Sequence, residues 1–521
     1  MPTRRTLALL STAALAAALG LTGCAVAATT TTSGDSSTTA TVTRPDDLSA
    51  EAVLAANSDA TTVNDDEWDA ASAVDVAASS DTVTITEAGV YRLSGDYTGG
   101  VVVDAGEDAL VVLILDGADI TSSSGPGIQV TSADDVGIFL ADGSSNTVSD
   151  AGTAYADDAD FHAAIASAAD LTISGTGSLE VSAVDDGIST SDDLVILSGT
   201  IDVTAGDDGL RGHDALVVEG GDITVDAAAG DALTSDQEDD ETQGWIEISG
   251  GTLDLTTGDD GLDAFTDIVV TGGELTVDAA GDGLHSETVL VVEGGDLTVT
   301  NSDEGIESFT ISLAGGTIDV TASDDGVNAS GGTSTTDAGG GAGAGGGMGD
   351  GGQLLSISGG DITIDAGGDG LDSNGSIEMT GGTVVVQGPT NDGNGALDVN
   401  GTFSVSGGTL VAIGSSGMAE SPDADSAQSF VAAAASGSAG QLVQVVASDG
   451  TVVAGVTAAK QFASVVVSTA DVVAGESYTV TVDGSDVGTA TAGEALAGGM
   501  GGGGQPGGGG PAGAGQPPAR G

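Results

Sequence analysis

A repeat of about 22 residues runs through the middle of the chain and limits its possible folds more than any other feature. Each repeat pairs a GG-x-Φ-x-Φ phrase, where Φ is an apolar residue, with a DDG-Φ phrase, as in GGTLDLTTGDDGL at 250–262 and GGELTVDAAGDGL at 272–284. The distance from the second glycine of the first phrase to the glycine of the second phrase is ten residues in both, from Gly251 to Gly261 and from Gly273 to Gly283. This constant spacing indicates one structural unit that is repeated.

Apolar residues alternate within each unit, as Leu253 with Leu255 and Leu275 with Val277, which is the period of a half-buried strand. Three short strands and their turns fit into about 22 residues, and each coil can bury its inward side chains only by stacking on the next coil. We therefore predict an all-β chain whose main body is a right-handed parallel β-helix, a solenoid. No nine-residue period is present, which excludes a glycine/aspartate calcium repeat of that length.

The composition restricts the possible partners. The chain has 521 residues, of which 88 are glycine, and its 80 acidic against 7 basic residues give a formal net charge of −73. Nucleic acid is excluded as a partner because its phosphates would be repelled and no basic patch exists. General solubility accounts for the net charge, but it does not explain why acids recur at one phase of the repeat.

The N-terminus predicts export and anchoring. Arg4 and Arg5 precede an apolar run at 7–21, and the sequence LTGC ends at Cys24, the only cysteine of the chain. This pattern looks like a bacterial lipobox, so residues 1–23 are predicted to be a lipoprotein signal peptide that is cleaved before Cys24. The alternative is an ordinary signal peptide with a chance cysteine. We expect a cell-surface lipoprotein anchored to the outer face of the cytoplasmic membrane.

The remaining segments differ in composition. We predict a Thr/Ser/Ala-rich tether and lead-in segment at 24–80 and the β-helix at 81–420. A glycine-rich loop at 331–352 and a shorter acidic insertion at 236–243 interrupt the repeat and should loop out from turns. Residues 426–490 are predicted to form a small β module that closes the solenoid, and 491–521 a disordered Gly/Pro-rich tail.

Acidic residues precede the turn glycine in successive repeats, and stacking would place them in a ladder with a spacing of about 4.8 Å. The ladder consists of Asp186, Asp208, Asp231, Asp260, Asp282, Glu304, Asp325, Asp369 and Asp392. Neighbouring charges at that spacing repel by about 1 kcal/mol in water and about 3 to 4 kcal/mol at an effective dielectric near 20. The alternative is that Asp-Gly merely forms good turns, with each aspartate bonded to its own backbone.

Carboxylate oxygens in clusters suit Ca²⁺, which takes six to eight oxygen ligands. We therefore predict calcium as the cofactor. The expected ligands are Asp186, Asp208, Asp259, Asp260, Asp263, Asp282, Glu304, Asp325, Asp369 and Asp372.

Several phrases resemble a known family. They include LVVLILDGADITSS at 110–123, GDGLDSNGS at 368–376 and GNGALD at 393–398. Over residues 83–420 the chain is similar to the bacterial carbohydrate-binding domain-containing proteins. That resemblance implies a secreted parallel β-helix, similar in fold to polysaccharide lyases, that binds calcium and plant-type polysaccharides, including acidic pectic ones.

The expected partner is thus a polysaccharide, either an acidic pectic or a cellulose-like glycan. Calcium on the ladder could bridge to an anionic sugar, whereas a neutral glucan would need aromatic platforms. Trp245, beside the acidic insertion, and Tyr155, in an irregular segment, are the candidate platforms. Arg211 and His213 are further candidates for sugar contacts.

Catalysis by a lyase mechanism would need calcium and a strong base. Arg211 is the one candidate base, and its alternative role is a structural ion pair with Asp208 or Asp214. We predict a surface-anchored, calcium-dependent polysaccharide-binding lipoprotein that does not turn its ligand over. The alternatives are a calcium-dependent lyase for acidic pectic glycans and a structural or adhesive surface solenoid.

Overall fold

The computed structural model describes residues 41–42, 45–150, 155, 159, 161–331, 333–334 and 350–496. The predicted signal peptide with Cys24, most of the glycine-rich loop and the tail from 497 lie outside these residues. Helix is limited in the described ranges to one α-helix, Ala50–Leu54, and one 3₁₀ turn, Ala70–Ser72. None of the described helices has the length and apolar character of a membrane span.

Each regular coil contributes three strands, which we assign to stacks A, B and C in chain order. In one coil they are Thr252–Thr257, Leu262–Ala264 and Asp267–Val270. Each strand pairs in parallel with its counterpart in the next coil, so that Leu253 lies opposite Leu275 and Leu262 opposite Leu284. The prediction of an all-β chain with stacked coils and a large, mostly parallel sheet is confirmed.

Stack A consists of Ser145–Ser149, Ser178–Ser182, Thr200–Ala205, Asp222–Ala227, Thr252–Thr257, Glu274–Asp278, Asp296–Asn301, Thr317–Ala322, Asp361–Ala366, Thr383–Gln387 and Thr409–Gly414. Stack B consists of Val83–Ile85, Val101–Asp104, Ile128–Ser132, Ala163–Ser167, Asp186–Thr190, Leu210–Gly212, Leu233–Ser235, Leu262–Ala264, Val327–Ala329, Leu371–Ser373 and Leu397–Val399. Stack C consists of Val74–Val76, Asp135–Leu140, Asp170–Gly175, Asp193–Ile196, Ala215–Val218, Trp245–Ile248, Asp267–Val270, Leu354–Ile357, Ser376–Met379 and Phe403–Val405.

Four longer strands run through two stacks each. Gly89–Tyr97 and Leu110–Thr121 belong to stacks C and A, whereas Leu284–Val292 and Ile306–Leu313 belong to stacks B and C. A short strand, Thr41–Val42, pairs with Thr333–Ser334. The inward side chains of the three stacks fill a continuous hydrophobic core, in which Ile223, Leu253 and Leu275 lie one above another.

Two glycines per coil are required for different physical reasons. Gly251, in the turn from stack C to stack A, has a φ of 94°, which side chains of L-residues rarely adopt. Gly261, in the turn from stack A to stack B, lies outside that backbone region. A Cβ atom on Gly261 would instead lie 2.4 Å from Val277 Cγ1 and 2.4 Å from the carbonyl oxygen of Gly283. The close approach of the next coil therefore selects this second glycine.

One coil replaces this second glycine by Ala232, and the structure explains why it can. The residue of the next coil that faces such a glycine is Val225 for Gly209 and Val277 for Gly261. In the coil after Ala232 the corresponding residue is Leu255, which lies opposite Val225 in the coil before it and opposite Val277 in the coil after it. Valine is branched at Cβ and holds a methyl group against the turn, whereas leucine branches one carbon further out. Leu255 therefore leaves room for the Ala232 methyl group.

The segment from residue 50 to 68, which we call the strap, runs along the outer surface of stack C. Val53 packs on Val289 and Val291, while Val63 packs on Val90 and other residues of much earlier coils. Polar groups of the strap bond to side chains of the solenoid, through Ala50 N–H to Glu293 (2.8 Å), Asn57 Nδ2 to Asp267 (3.0 Å), Thr61 N–H to Asp193 (2.8 Å) and Val63 N–H to Thr172 (2.9 Å). The strap thus connects coils that are not neighbours.

The C-terminal strands are antiparallel. Phe462–Ser468 pairs with both Thr409–Gly414, the last strand of stack A, and Phe430–Gly437. Leu442–Ala447, Val452–Thr457, Ser477–Val482 and Ser485–Thr491 form a separate four-stranded sheet. Stack A therefore ends with its last edge covered by an antiparallel strand, which prevents edge-to-edge pairing there.

Candidate functional site

The carboxylate ladder lies along the turns from stack A to stack B and is tied to the backbone. Five of the rungs accept a hydrogen bond from the backbone N–H of the rung in the next coil. These bonds are Asp231 to Asp208 (3.0 Å), Asp260 to Asp231 (2.9 Å), Asp282 to Asp260 (2.6 Å), Glu304 to Asp282 (3.0 Å) and Asp369 to Asp325 (2.6 Å). These aspartates therefore bond to the next coil, not to their own backbone as the alternative expectation had it, and one carboxylate oxygen of each bond remains available.

Glycines before the rungs make room for these carboxylates. A Cβ on Gly281 would lie 2.3 Å from Asp260 Oδ1, and a Cβ on Gly230 would lie 2.3 Å from Asp208 Oδ1. A contact that short cannot occur. The glycines directly before the rungs Asp231 and Asp282 therefore leave room for the carboxylate of the preceding coil.

The inclusion of Asp392 in the ladder is wrong. Asp392 is exposed, and the N–H that bonds to Asp369 Oδ1 at 2.5 Å belongs to Gly395. The turn at this coil is longer than in the others, so the aspartate that the sequence pattern selects stands outside the row. The ladder ends at Asp369.

A second row runs beside the ladder on the outer surface of stack B. The residue two positions after each turn glycine, or after its alanine substitute, points outward, and register aligns these residues from coil to coil. The row is Arg211, Thr234, Asp263, His285, Glu307, Asn328, Asp372 and Asp398. We call the ladder and this row together the acidic face. Sequence analysis missed Glu307, Asn328 and Asp398, although their constant spacing from the turn was a usable signal.

Burial and mutual repulsion raise the pKa values of the acidic face. Burial, followed by the charge of Asp263, raises the pKa of Asp231 to about 8. Burial and Glu307 raise the pKa of Glu304 to about 8, and burial with Asp325 and Asp398 raises that of Asp372 to about 8. Each of these carboxyl groups therefore favours a bound proton, or a cation in its place, at neutral pH.

Three groups bring carboxylate oxygens of this face, or of the acids next to a rung in sequence, within 4.8 Å of one another. They are Asp185 with Asp186 and Asp207, Asp231 with Asp259 and Asp260, and Asp282 with Glu304 and Glu307. All their donors are carboxylate oxygens, which is the donor type that Ca²⁺ prefers. Of the predicted ligands, the structure thus brings together Asp259 with Asp260 and Asp282 with Glu304.

A histidine stands among the predicted ligands Asp260 and Asp263. His285 Nδ1 lies 2.7 Å from Asp263 Oδ1. Burial opposes its charge, but the hydrogen bond to Asp263 and the surrounding carboxylates raise the pKa of His285 to about 10. The imidazolium therefore already supplies a positive charge at this point of the row.

Asn328, further along the acidic face, has a polar atom without a hydrogen-bond partner among the described residues. Its Nδ2 donates to Glu304 Oε2 at 2.8 Å, whereas its buried Oδ1 has no hydrogen-bond partner among the described residues. A buried acceptor without a partner costs free energy. Asn328 aligns with Asp372, so an unsatisfied amide oxygen and a carboxylate share this part of the row. A hard cation would satisfy both.

The outer surface of stack A distributes its acids differently. Successive coils present Thr200, Asp202 and Thr204, then Asp222, Thr224 and Asp226, then Thr252, Asp254 and Thr256. A hydroxyl therefore separates each carboxylate from the next one both along the strand and across it in these coils. Because the charges are spaced apart, this surface has less need of cations than the ladder does.

Arg211 is held by the acidic insertion. Its Nη2 donates to Asp236 Oδ2 at 2.8 Å and its Nη1 to Ser189 Oγ at 3.2 Å, while His213 Nδ1 lies 2.7 Å from Asp236 Oδ1. The alternative expectation of an ion pair with Asp208 or Asp214 is wrong. Arg211 pairs with Asp236 because the acidic insertion folds back over the row. Burial opposes the charge of Asp236, yet the hydrogen bonds from His213 and Arg211 lower its pKa below the usual value.

Tyr155 lies at the start of the acidic face. Its ring centroid is 5.5 Å from that of His162, and its hydroxyl donates to the carbonyl oxygen of Ala163 at 2.9 Å. His162 Nδ1 lies 2.9 Å from Asp185 Oδ2, which belongs to the first carboxylate group. The structure therefore places this predicted platform next to the acids.

Trp245 is not a platform. Its side chain is buried, with 4% exposure, and packs with Val195 and Val217 beneath Leu54 and Ala60 of the strap. The expectation that Trp245 is exposed is wrong because the strap, which has no repeat pattern, covers the strand on which it lies.

Comparisons with known proteins identify one family. Residues 79–326 match the family described as carbohydrate-binding domain-containing protein. A protein of that description from Acetivibrio thermocellus is 41% identical over 119 residues, which are 22% of this chain and 42% of the relative's length. The solved structure of a polysaccharide lyase-like protein from C. thermocellum, a gadolinium derivative, is 32% identical in sequence, with a TM-score of 0.40. The match covers 42% of this chain and 94% of the chain of that protein. The resemblance to the carbohydrate-binding domain-containing proteins is therefore confirmed, and it extends over residues 79–326.

Proposed function

We propose that the chain is a surface-anchored protein that binds an acidic polysaccharide through calcium held on the acidic face, without turning it over. The observation that carries the proposal is the line of half-buried carboxylates with raised pKa values on the acidic face, together with the orphan Oδ1 of Asn328. The finer fold in this proposal is a right-handed parallel β-helix, the hand that parallel crossover connections adopt.

Calcium is central to the proposal because of charge. A chain with a net charge of −73 repels a polyuronate, whereas a cation shared by protein and sugar carboxylates attracts both. The oxygens of Asp282, Glu304 and Glu307 would hold one ion. Asp325, Asp369 and Asp372 would hold another with Asn328, since their charges act on one another.

Binding without turnover is supported by the state of Arg211. A lyase base must accept a proton, and the carboxylate of Asp236 at 2.8 Å stabilises the charged guanidinium. The same arrangement makes Arg211 and His213 poor contacts for sugar carboxylates, because Asp236 already occupies both. Tyr155 remains the proposed aromatic platform, at the end of the face near Asp185.

The test is retention of the full chain on pectate, first with calcium and then with chelator. We expect retention that requires calcium, and no ultraviolet absorbance from unsaturated uronate. The double variant Glu304→Gln with Glu307→Gln should lose retention. The matched control is the double variant Asp254→Asn with Asp319→Asn on stack A. It makes the same change in net charge and should still be retained on pectate.

Each other result has a distinct meaning. Equal loss in the control pair would show that net charge, and not the acidic face, governs binding. Rising absorbance would identify a lyase, and absence of retention on any glycan would favour the adhesive solenoid.

The anchoring part of the proposal has its own test. Cys24→Ser should move the protein from the membrane fraction to the soluble fraction, because a lipidated cysteine would be lost. Unchanged membrane association of Cys24→Ser would refute the lipid anchor and leave the glycan proposal untouched.

A further inference from the structure

A cavity of about 430 Å³ lies on the outer surface of stack C, far from the acidic face in the coil order. Trp68, Val90, Leu110 and Val112 supply its apolar wall, and its other lining residues are Asp66, Glu67, Asp69, Ser72 and Gly89. The volume is in the range of small-molecule sites, which are mostly apolar with a few polar groups. Asp66, Glu67 and Trp68, at the end of the strap, therefore line a cavity of that size.

Two aromatic rings in contact with each other each line a cavity, Trp68 this one and Phe139 a second one. Trp68 and Phe139 meet edge to face with centroids 5.1 Å apart, and both are half-buried. Phe139 lines a cavity of about 600 Å³ whose polar lining is Asn64, Asp65, Asp66, Ser174, Thr176 and Ser198. Aromatic residues are 2% of the chain, so a half-buried pair of rings that lines two cavities is a distinctive feature.

The charge of the site is entirely negative. No basic residue lines either cavity, and Arg92, on the same strand as Val90, is bonded to Asp116 at 2.9 Å. Glu67 accepts a hydrogen bond from Asn64 N–H at 2.7 Å, and Asp69 accepts one from Ala71 N–H at 2.9 Å.

Asp66 differs from these neighbours. It lines both cavities, and its side chain has no hydrogen bond or ion pair with any described residue. Asp66 is therefore an exposed carboxylate with unused acceptor capacity that lines both cavities.

We propose that these two cavities bind an amine-bearing oligosaccharide, the chemistry of a glucosamine polymer. A sugar ring presents an apolar face that stacks on Trp68. An ammonium group near an aromatic face gains cation–π attraction, and Asp66 supplies the matching charge. A neutral sugar would leave the acids around Trp68 without a counter-charge. The site contains no carboxylate of the acidic face, so it is independent of the calcium proposal.

The test is a fluorescence titration of the full chain, in chelator, with the tetramers of glucosamine and of N-acetylglucosamine. The chain has two tryptophans, and the buried Trp245 is shielded, so a change reports Trp68. We expect saturable binding of the glucosamine tetramer and at least tenfold weaker binding of the acetylated tetramer. Equal affinity for both, or no binding of either, would overturn the proposal.

Variants locate the site. Asp66→Asn should weaken glucosamine binding about fivefold, the size expected for one partly exposed ion pair. Asp254→Asn on stack A makes the same charge change and should have no effect. Trp68→Ala should abolish binding, but it also removes packing. If Trp68→Ala does not fold, the result for Asp66→Asn decides the test. Equal weakening by Asp66→Asn and Asp254→Asn would show that the net negative charge of the chain, and not Asp66, attracts the glucosamine tetramer. Loss of pectate retention alone would not touch this proposal, and loss of glucosamine binding alone would not touch the calcium proposal.

Discussion

The backbone N–H of Asp282 donates a 2.6 Å hydrogen bond to Oδ1 of Asp260, one coil earlier in the solenoid. The carboxylate of Asp260 thus has two roles, as an acceptor that connects neighbouring coils and as a charge that repels the other rungs. Burial raises the pKa of Asp260 to about 6, helped by the charges of Asp263 and Asp259 and opposed by the hydrogen bond from Asp282. The two roles can be separated by substitution.

Asp260→Asn keeps an acceptor oxygen but removes the charge, whereas Asp260→Ala removes both. In chelator we expect Asp260→Asn to raise the free energy of unfolding, because repulsion along the ladder is relieved. Asp260→Ala should lower it by about 1 to 3 kcal/mol, because the N–H of Asp282 loses its partner. Chemical denaturation of the two variants checks this. Indistinguishable stabilities for Asn and Ala would show that the hydrogen bond contributes nothing.

The raised pKa values on the acidic face predict an unusual dependence of stability on pH. Asp231, Glu304 and Asp372 have carboxyl pKa values of about 8 when folded, against ordinary values of 3.8 or 4.5. Between these values the folded chain binds more protons than the unfolded chain, so stability is highest at low pH and falls as pH rises from about 4 to about 8.

Thermal unfolding in chelator should therefore give a higher midpoint near pH 5.5 than near pH 8. Calcium should flatten or reverse the trend, because it binds the ionised carboxylates and stabilises the folded state at the higher pH. A midpoint in chelator that increases with pH would contradict the assignment of burial and repulsion as the cause.

Ala232 and Leu255 should be coupled in stability. Leu255→Val would bring a methyl group against the Cβ of Ala232, as Val277 would meet a Cβ on Gly261 at 2.4 Å. We expect it to cost about 1 to 3 kcal/mol, and Ala232→Gly in the same chain to recover most of that loss. A double-mutant cycle measures the coupling, which should be at least about 1 kcal/mol. Additive effects of the two substitutions would refute the contact.

The strap should detach locally when its apolar anchor is removed. Val53 is buried against Val269, Val289 and Val291, so Val53→Asp places a charge where no partner is available. We expect faster hydrogen exchange over 50–68, with the core strands still protected. Glu51→Ala in the same helix changes an exposed side chain and serves as the control. Unchanged exchange in Val53→Asp would show that the polar bonds alone hold the strap.

The repeat determined most of the architecture. Alternating apolar residues and a constant spacing from Gly251 to Gly261 were enough to predict stacked coils, because a coil can bury its apolar side only against another coil. The same periodicity predicted a ladder of carboxylates, and the structure supports it from Asp208 to Asp369. Backbone hydrogen bonds link the neighbouring rungs there, except Glu304 and Asp325. Asp392 was misplaced where the turn changed length, since a periodic argument fails where the period does.

Only the tertiary structure decided what the non-repeating segments do. The strap covers Trp245, Asp236 folds back to Arg211, and Trp68 meets Phe139 across 71 positions of sequence. Contacts of this kind are set by how an irregular segment lies on the solenoid surface, and such a segment leaves no period in the sequence. Periodic positions are constrained by their neighbours in the adjacent coils, so they can be predicted, whereas these contacts depend on the whole folded surface.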